Sequence, residues 1–411
     1  MMQDADIVVV GGGIAGSALA TALARAGISV LILERSEVHI DHVRGEWLAP
    51  WGVVEAQQLG LYDVLIAAGA HHVAQHVPFG EEVDPELARL MAFDLTTMVP
   101  GVPGPLCLGH PTMCNLFNHA AERAGATLSR GVRDISVRSG SVPEVQFRAG
   151  DSAQTVRPRL VIGADGRNST VRQQAGIALL KDPAHHLMGG MLVENTGDWP
   201  ANVQTIGTEG DVNFFVFPQQ GKRARLYLCY AYEHRKRYAG RDAAANFLAA
   251  FRLRSVPGSD HIAAAQPAGP CHSYPNEDAW TDPPLVPGVV LVGDAAGHND
   301  PIIGQGLSIA LRDVRIMRDL LLGQREWTPA AFEPYVTERR ERMRRLRFVA
   351  ALLSVRDVEF GAAASARRAQ IYERQMADPS IMLPLFAPLV GPDALPAEAF
   401  EPAAWDRFLG T

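Results

Sequence analysis

Short apolar runs along the chain set its predicted architecture. Ile7–Val10 contains four consecutive β-branched residues, and similar apolar runs end at Gly163 and at Gly293. Runs without polar alternation are typical of strands that are buried on both faces, as in a parallel sheet covered by helices. The pattern therefore predicts an α/β fold.

A glycine motif follows the first of these runs. Gly11, Gly13 and Gly16 stand in the Gly-x-Gly-x-x-Gly register, and a second predicted strand, Ser29–Leu33, ends at Glu34. The glycines permit a tight turn, close approach of a pyrophosphate to the backbone, and close packing of helix on strand. Glu34 lies near the spacing of about 20 residues at which an acid binds a ribose hydroxyl. The stretch predicts a dinucleotide site, with a ligand-free structural turn as the alternative.

The same stretch has a rival interpretation as a membrane anchor. Ile7–Ala24 carries no charge over a length near that of a membrane span or a signal-peptide core. Asp4 and Asp6 precede it, whereas a signal peptide carries positive charge there, and the glycines weaken a spanning helix. We therefore predict no membrane span and a cytoplasmic location.

The middle of the chain has a different pattern. Met188–Glu194, Asn213–Phe217 and Ala224–Tyr230 alternate in a way that predicts an antiparallel sheet with one face against something apolar. Phe215 and Phe217, on one strand, and Pro301, farther along the chain, are candidate substrate-binding residues. Ordinary sheet core explains each of the two phenylalanines equally well.

Two further strand ends carry polar signals. One run leads into Asp165-Gly166, and another leads into Gly293-Asp294, then Pro301 and Gly304-Gln305-Gly306 at a predicted helix start. Glycines at a helix start let the backbone approach a ligand. Arg44, just after the first strand–helix–strand unit, is a candidate for neutralising a pyrophosphate, or a surface arginine.

The C-terminal part, from Thr328 onward, is predicted to be mostly helical. The dense charge run Glu338–Arg347 is interpreted as a solvent-facing helix surface, with Arg342 among its exposed residues. A proline-rich tail from Pro379 to Pro402 is expected to wrap the fold.

Composition narrows the function. The chain has 411 residues, enough for two domains, with a net charge of −7 and 47% hydrophobic residues. These values fit an enzyme and argue against a nucleic-acid partner. No metal site or disulfide framework is predicted, because the clustered His71, His72 and His76 lack matching ligands and the cysteines form no Cys-x-x-Cys pair. The four cysteines are Cys107, Cys114, Cys229 and Cys271.

The motifs together resemble the flavoprotein monooxygenases of the aromatic-hydroxylase type, the para-hydroxybenzoate hydroxylase family. The resemblance rests on the glycine triplet with Glu34, on Asp165-Gly166, and on Gly293-Asp294 with Pro301 and Gly304–Gly306, and it spans about residues 5–320. It implies non-covalent FAD, with NADPH or NADH as co-substrate. The implied cofactor-binding residues are Gly11, Gly13, Ala15, Gly16, Glu34, Arg35, Arg44, His110, Val132, Asp165, Asp294, Pro301, Gly304, Gln305 and Gly306.

The resemblance also implies individual roles. Glu34 would hold the adenosine ribose, Arg44 the pyrophosphate or ribityl chain, and Asp294 a ribityl hydroxyl. The Gly304–Gly306 amides would meet the flavin N1/O2 edge, and the backbone of Val132 would touch adenine.

Three positions depart from the family pattern. Gly297 is an insertion after Gly-Asp-Ala-Ala, and Ser308 replaces a common asparagine. Asp165, in contrast, fits the pattern and belongs to a motif linked to both FAD and NAD(P)H. His110 stands where an arginine or glutamine often contacts the flavin side. Gly-Asp-Ala-Ala-Gly also occurs in prenyl-chain reductases.

The implied architecture is a Rossmann-like FAD-binding domain with an inserted antiparallel β-sheet substrate domain and a helical C-terminal region. The FAD-binding domain is predicted to comprise residues 1–79, 100–180 and 280–325. Residues 80–99 and 181–279 form the substrate domain, and residues 326–411 form the helical region. A monomer or a homodimer is expected.

The implied activity is hydroxylation or epoxidation of a small aromatic or other electron-rich substrate with O2, through a flavin C4a-hydroperoxide. Alternatives are a double-bond reductase or a halogenase on the same fold, and a non-catalytic FAD-binding protein. Halogenases of this fold carry a Trp-x-Trp-x-Ile-Pro stretch and an early active-site lysine, whereas the first lysine here is Lys181. No side chain is assigned a catalytic role.

Overall fold

A computed structural model describes residues 5–410, so the ends of the predicted first and last regions, residues 1–4 and 411, lie outside the described residues. Its central element is a six-stranded sheet, in which Ile7–Val10 lies between two parallel neighbours. The strand order of this sheet reverses. In open α/β sheets, ligands bind at the carboxyl ends of the strands beside such a reversal. In spatial order the strands are Leu285–Val286, Val289–Leu291, Leu160–Gly163, Ile7–Val10, Val30–Glu34 and Thr127–Arg130.

The first glycines have steric reasons for their positions. Gly11 has φ +107°, and a Cβ there would lie 2.4 Å from the Ala164 carbonyl oxygen. A Cβ on Gly16 would lie 1.9 Å from the Gly11 carbonyl oxygen, so only glycine lets the helix Ile14–Arg25 pack on the strand. The predicted strand–turn–helix–strand unit is confirmed.

Two consecutive strands belong to two different sheets. Thr127–Arg130 joins the central sheet beside Val30–Glu34, whereas Arg133–Arg138 begins a separate antiparallel sheet with Glu144–Ala149 and Ser152–Val156. Gly131, with φ +66°, turns the chain between them.

The predicted antiparallel sheet is present and has eight strands. Along its strands, alternate residues face two different cores: Leu226 and Leu228 pack on the helices behind the sheet, whereas Tyr227 and Cys229 face the central part of the molecule. The strands are Gln266–Pro267, His272–Asn276, His186–Glu194, Arg223–Ala231, Val212–Gln219, Val203–Glu209, Gln75–Val77 and Phe93–Asp94.

The predicted division at residue 79 is at odds with the strand pairing. Gln75–Val77 pairs in parallel with Val203–Glu209 and antiparallel with Phe93–Asp94, so this part of the chain enters the second sheet before residue 79. His76 therefore lies on a strand. The division into domains otherwise stays a prediction.

The expectation of a solvent-facing charge run is wrong. Within the helix Glu333–Asp357, Arg339 and Arg342 are only 3% and 4% exposed. Both pair with the buried Asp313, at 3.2 and 2.6 Å. Two arginines three residues apart share one helix face, and the sequence does not reveal that this face meets a buried acid.

The remaining elements are small sheets and helices of very different lengths. Within residues 5–410, no helix combines the length and the apolar character that crossing a bilayer needs. Two further three-stranded sheets are small. One has the order Trp47–Leu48, Leu106–Cys107 and His71–His72, and the other has the order Leu180–Lys181, Ala279–Trp280 and Gly297–His298. The other α-helices are Pro50–Gln58, Tyr62–Ala67, Pro85–Leu90, His110–Ala124, Thr170–Gln174, Ala243–Ala249, Ser259–Ala263, Gly306–Gly323, Ala362–Ala377, Ala387–Val390 and Pro402–Leu409.

Candidate active site

A cavity of about 760 Å³ begins at the carboxyl ends of the central strands and continues under the antiparallel sheet. Its lining brings together residues that are far apart in the sequence. Of the predicted site residues, it includes Gly11, Gly13, Ala15, Glu34, Arg44, His110, Asp165, Phe215, Phe217, Asp294, Pro301, Gly304, Gln305 and Gly306.

Three predicted residues lie off this lining. Gly16 is buried in helix packing, and Arg35 is exposed at the end of its strand. Val132 is fully buried, and its N–H donates to the carbonyl oxygen of Glu34 at 3.2 Å. Gly16 and Val132 therefore shape the turn from behind.

Glu34 is held in place by backbone donors. Its Oε2 accepts the N–H of Gly12 at 2.7 Å and its Oε1 accepts the N–H of Ser36 at 2.7 Å. The Asn118 side chain donates to the Gly12 carbonyl oxygen at 2.7 Å. A carboxylate fixed in this way can still accept hydrogen bonds from ribose hydroxyls.

The first helix offers unused donors to the cavity. Gly13, the residue before the helix, has no side chain to cap it, and a Cβ there would meet no atom within 4 Å. Arg44 lines the cavity nearby and forms no hydrogen bond or ion pair with any residue between 5 and 410. Free amides at a helix start and an unpaired guanidinium together suit a pyrophosphate.

Asp165 has a local structural partner. It accepts hydrogen bonds from the Ser169 hydroxyl at 2.5 Å and from the Thr170 N–H at 2.7 Å. Ser169 caps the short helix Thr170–Gln174, as its residue type predicts. Asp165 thus fixes the loop that separates the cavity from this helix.

Asp294 has a partner that the sequence did not reveal. Arg167 Nε lies 3.4 Å from Asp294 Oδ2, and the Asp294 side chain is 31% exposed. Burial opposes ionisation, but Arg167 and other nearby cations outweigh it, so the pKa of Asp294 lies below its ordinary value. Asp294 is therefore an ionised acceptor over the neutral pH range.

The turn before the helix Gly306–Gly323 is rigid. Gly304 has φ +65°, which a glycine adopts without strain. The Gln305 side chain points away from the cavity opening, since it accepts from Trp51 Nε1 at 2.7 Å and donates to the Ile303 carbonyl oxygen at 2.6 Å. No side chain caps the helix at Gln305, so its first amides remain available to a ligand.

Behind this turn lies the buried network of Asp313. Asp313 accepts the N–H of Gly293 at 2.8 Å, and Arg339 donates to the carbonyl oxygens of Gly293 and Gly297 at 3.1 and 3.0 Å. The backbone that carries Asp294 is therefore held by charged groups from two helices.

His110 begins the helix His110–Ala124 and faces the cavity across Gly45. A Cβ on Gly45, whose φ is +75°, would lie 2.6 Å from the His110 ring. Burial and the neighbouring Arg44 lower the pKa of His110 to about 4. The ring is therefore neutral at physiological pH.

The far half of the cavity, called the chamber below, contains a cluster of aromatic and aliphatic residues beside the charged Glu82, Arg356, Asp357 and Arg368. Phe215 and Phe217 line it as predicted candidates, with ring centroids 5.9 Å apart, and Trp47 lies 5.9 Å from Phe217. Tyr227 belongs to the same cluster, and its ring centroid lies 6.3 Å from that of Phe217. From the C-terminal region, the chamber is lined by Leu353, Met382, Leu385, Phe386 and Leu389.

This arrangement fits FAD. Two uncapped helix starts, a ribose acceptor and an ionised aspartate line one cavity in the order that an extended dinucleotide with its flavin ring requires. The fold and the site therefore define a flavoprotein. The chain belongs to the FAD binding domain family, whose members it matches over residues 4–348.

Individual relatives extend the likeness. The chain is 27% identical over 320 residues to squalene monooxygenase SE1 of Panax ginseng, covering 77% of this chain and 58% of that enzyme. It is 27% identical over 366 residues to 3-demethoxyubiquinol 3-hydroxylase of Escherichia coli, covering 84% and 86%. It therefore spans less than two thirds of the first of these.

The fold also matches solved structures. p-Nitrophenol 4-monooxygenase from Pseudomonas putida DLL-E4 superposes with a TM-score of 0.78 at 17% identity, over 94% of this chain and 97% of that one. At this identity the likeness concerns the fold.

Proposed function

We propose that the protein is an FAD-dependent monooxygenase that uses NAD(P)H and O2 to hydroxylate or epoxidise an electron-rich, largely apolar substrate. The observation that carries the proposal is the single cavity, which joins the cofactor-binding turns to an aromatic chamber. The matched relatives, a squalene monooxygenase and an ubiquinol hydroxylase, support oxygen transfer to such substrates.

When bound, FAD supplies the redox chemistry, because it carries electrons from the nicotinamide to O2. The residues of the chain position the ligands, stabilise charge and exclude water. The amides at the start of Gly306–Gly323 would stabilise negative charge at the flavin N1/O2 edge, and their fixed orientation removes the cost of reorganising water. Leu353, Leu385 and Phe386 would exclude water from the chamber.

The alternatives receive less support. Gly297, the residue shared with prenyl-chain reductases, has φ +114° and a Cβ there would lie 2.4 Å from the Ala279 carbonyl oxygen. Its presence thus has a packing reason that needs no reductase activity. Among the described residues, no lysine lines the cavity, which argues against halogenase chemistry.

The direct test is oxygen transfer by purified protein. We expect NADPH or NADH oxidation and O2 uptake to rise when an accepted substrate is added, and label from ¹⁸O2 to enter the product. Catalase in a parallel reaction measures how much O2 is lost as peroxide. Reduction of an added alkene without label in any product would support the reductase instead.

Several finer expectations remain proposals. The cytoplasmic location and a monomeric or homodimeric state rest on the sequence, which leaves the choice between NADPH and NADH open. Comparing the rate of flavin reduction by the two nicotinamides decides the last point.

A further inference from the structure

Two polar side chains lie next to each other on the face of the antiparallel sheet that lines the chamber. Gln204 and His76 are paired residues of the neighbouring parallel strands Val203–Glu209 and Gln75–Val77, and both line the cavity. Paired residues of adjacent strands point to the same face, and the strands lie about 5 Å apart. The two side chains therefore enter the chamber side by side.

The amide of Gln204 is oriented by Trp47. Gln204 is 3% exposed, and its Oε1 accepts a hydrogen bond from Trp47 Nε1 at 2.8 Å. Because an indole nitrogen only donates, this contact assigns the amide oxygen to the Trp47 side and the NH2 group to the other side. Gln204 Nε2 has no hydrogen-bond partner among residues 5–410. Its N–H bonds are therefore available to a ligand.

The ring of His76 is a second neutral donor. Neither of its nitrogens has a hydrogen-bond partner in the described part of the chain, and only Nδ1 is enclosed by protein atoms, so Nε2 is the nitrogen that a ligand can reach. Burial and the nearby Arg356 lower the pKa of His76 to about 4, so the ring is neutral and carries one proton. We assign this proton to Nε2, because on Nδ1 it would be a buried donor without an acceptor.

Aromatic rings flank the two donors. Phe93 is the partner of His76 on the next strand, and their rings stack with centroids 6.0 Å apart. On the other side, Trp47 contacts Gln204 and lies 5.9 Å from Phe217. Flat apolar walls on both sides of a donor pair suit an aromatic ring system that carries one polar substituent.

The charged side chains of the chamber are already paired with each other. Arg356 donates to Asp357 through Nε and Nη2, at 2.7 and 2.8 Å. Arg368 pairs with Glu81 at 2.7 Å and also with Glu82. A carboxylate ligand would find no unpaired arginine among the described residues of this half, and a buried charge without a partner is costly. A neutral acceptor, in contrast, meets two neutral donors.

We infer that Gln204 Nε2 and His76 Nε2 donate hydrogen bonds to one carbonyl oxygen of the substrate, so that the substrate is an aromatic compound with a neutral carbonyl group on its ring system. This inference rests on the proposed function and specifies its substrate. A carbonyl oxygen has two lone pairs and accepts both bonds. The contact fixes which edge of the ring faces the cofactor half of the cavity. Gln204 and His76 are specificity-determining residues, and neither gains or loses a proton.

The donors discriminate through what a wrong ligand leaves unpaired. An analogue of the same shape without the oxygen leaves both N–H groups facing an apolar surface, which costs more than a small change of size in an apolar pocket. The preference for a carbonyl compound should therefore be visible in binding alone, before any reaction.

The test measures the binding of two probes of the same shape to the FAD-loaded protein, with no nicotinamide present. 2-Acetylnaphthalene carries the carbonyl group, and 2-isopropenylnaphthalene has a CH2 group in place of the oxygen. We expect isothermal titration calorimetry to show about tenfold tighter binding of the ketone. In His76→Phe, which keeps an aromatic ring beside Phe93, and in Gln204→Met, the preference should fall to about threefold or less.

Gln75→Met is the matched control, because Gln75 is the exposed neighbour of His76 on the same strand, and this variant should keep the parent preference. Infrared difference spectra of the ¹³C-carbonyl ketone give a second measurement. Hydrogen bonds lower the carbonyl stretching frequency, so the band of the bound ketone should lie lower in the parent and the control than in the two variants. Circular dichroism and FAD content verify folding, and a mere loss of packing would weaken both probes equally.

Four results would overturn the inference. They are equal binding of the two probes by the parent, a preference that survives both variants, tighter binding of 2-naphthoate than of the ketone, and no binding by a panel of aryl ketones with one to three rings. The infrared band of the parent protein decides the point even where a variant does not fold, since a bound ketone with the frequency of a carbonyl free of hydrogen bonds contradicts the two donors.

The proposed function can fail separately. The binding measurement needs neither NAD(P)H nor O2, so a ketone preference in a protein without oxygen transfer removes the function and keeps the donor pair. Oxygen transfer to substrates without a carbonyl group, together with equal binding of the two probes, does the reverse.

Discussion

The two halves of the cavity each contain a buried carboxylate, and the two carboxylates differ in how fully their oxygens are paired. Behind the cofactor turn, Asp313 is saturated, since it accepts from the Gly293 N–H and from Arg339 and Arg342. Along the chamber, Glu46 Oε2 and Asn213 Oδ1 are buried without a partner among residues 5–410. Saturated networks fix a backbone in place, whereas unsatisfied buried atoms cost stability and persist where a ligand or a proton uses them.

This difference separates structural from chemical roles. In the cofactor half, backbone amides and fixed charges meet the ligand, so shape and rigidity matter most. In the chamber half, side chains form the wall, so their identity sets which substrate enters. Substitutions in the two halves should therefore change different measurements.

The largest effect is expected at Asp313. Asp313→Ala removes the carboxylate that the buried Arg339 and Arg342 share, although Arg342 still pairs with Glu338 at 3.0 Å. Breaking a buried pair in this way costs about 3–5 kcal/mol. We expect loss of bound FAD together with a lower urea midpoint. Asp319→Ala, on the same helix but half exposed, is the control and should stay within about 0.5 kcal/mol of the parent. Equal unfolding curves for the two variants would contradict the structural role of Asp313.

The second prediction concerns the helix start at the flavin edge. A Cβ on Gly306 meets no protein atom within 4 Å, so Gly306→Val should fold but place its side chain where the flavin edge is proposed to lie. Losing a donor that stabilises developing charge costs on the order of 10²–10³ in rate. Stopped-flow reduction of the bound flavin measures this loss, with Gly323→Val, at the far end of the helix, as the control. A parent rate in an FAD-loaded Gly306→Val protein would show that this turn does not face the flavin.

The third effect is smaller and confined to affinity. Asp294→Ala removes an ionised acceptor from the cavity, and a hydrogen bond to a charged group contributes about 1.5–3 kcal/mol. We expect FAD to dissociate about ten- to a hundredfold more readily, measured by titrating the apoprotein with FAD. Asp282→Ala, whose partner Arg340 is on the surface, serves as the control. Unchanged FAD affinity would contradict the role of Asp294 in binding FAD.

The sequence predicted the cofactor half better than the chamber half, for a physical reason. Backbone approach at Gly11 or Gly304 requires glycine, and this requirement leaves a motif at fixed spacing. His76 and Gln204 meet through the pairing of distant segments, and neither stands in a motif. The prediction that Arg342 is exposed failed for another reason. A dense charge run is usually solvent-facing, and the buried partner of Arg342, Asp313, is distant in the sequence.

The smallest effect should appear at two neighbouring phenylalanines, which test the comparison most finely. Phe214 and Phe215 are adjacent on one strand and point to opposite faces: Phe214 packs in the core behind the sheet, and Phe215 lines the chamber. Phe215→Leu should shift discrimination between substrates that differ in ring size by about tenfold, since small changes in an apolar pocket are worth about 1–3 kcal/mol.

Phe214→Leu should instead lower the free energy of unfolding by about 1 kcal/mol or more, because it loses packing in a fully buried core. Its KM and substrate preference should match the parent, and FAD content should be equal in both variants. Measuring kcat/KM for two substrates beside urea unfolding separates the two effects. If Phe214→Leu changed substrate preference as much as Phe215→Leu, the chamber wall would not be the face of the sheet that these contacts indicate, and specificity would have to be sought among the C-terminal residues.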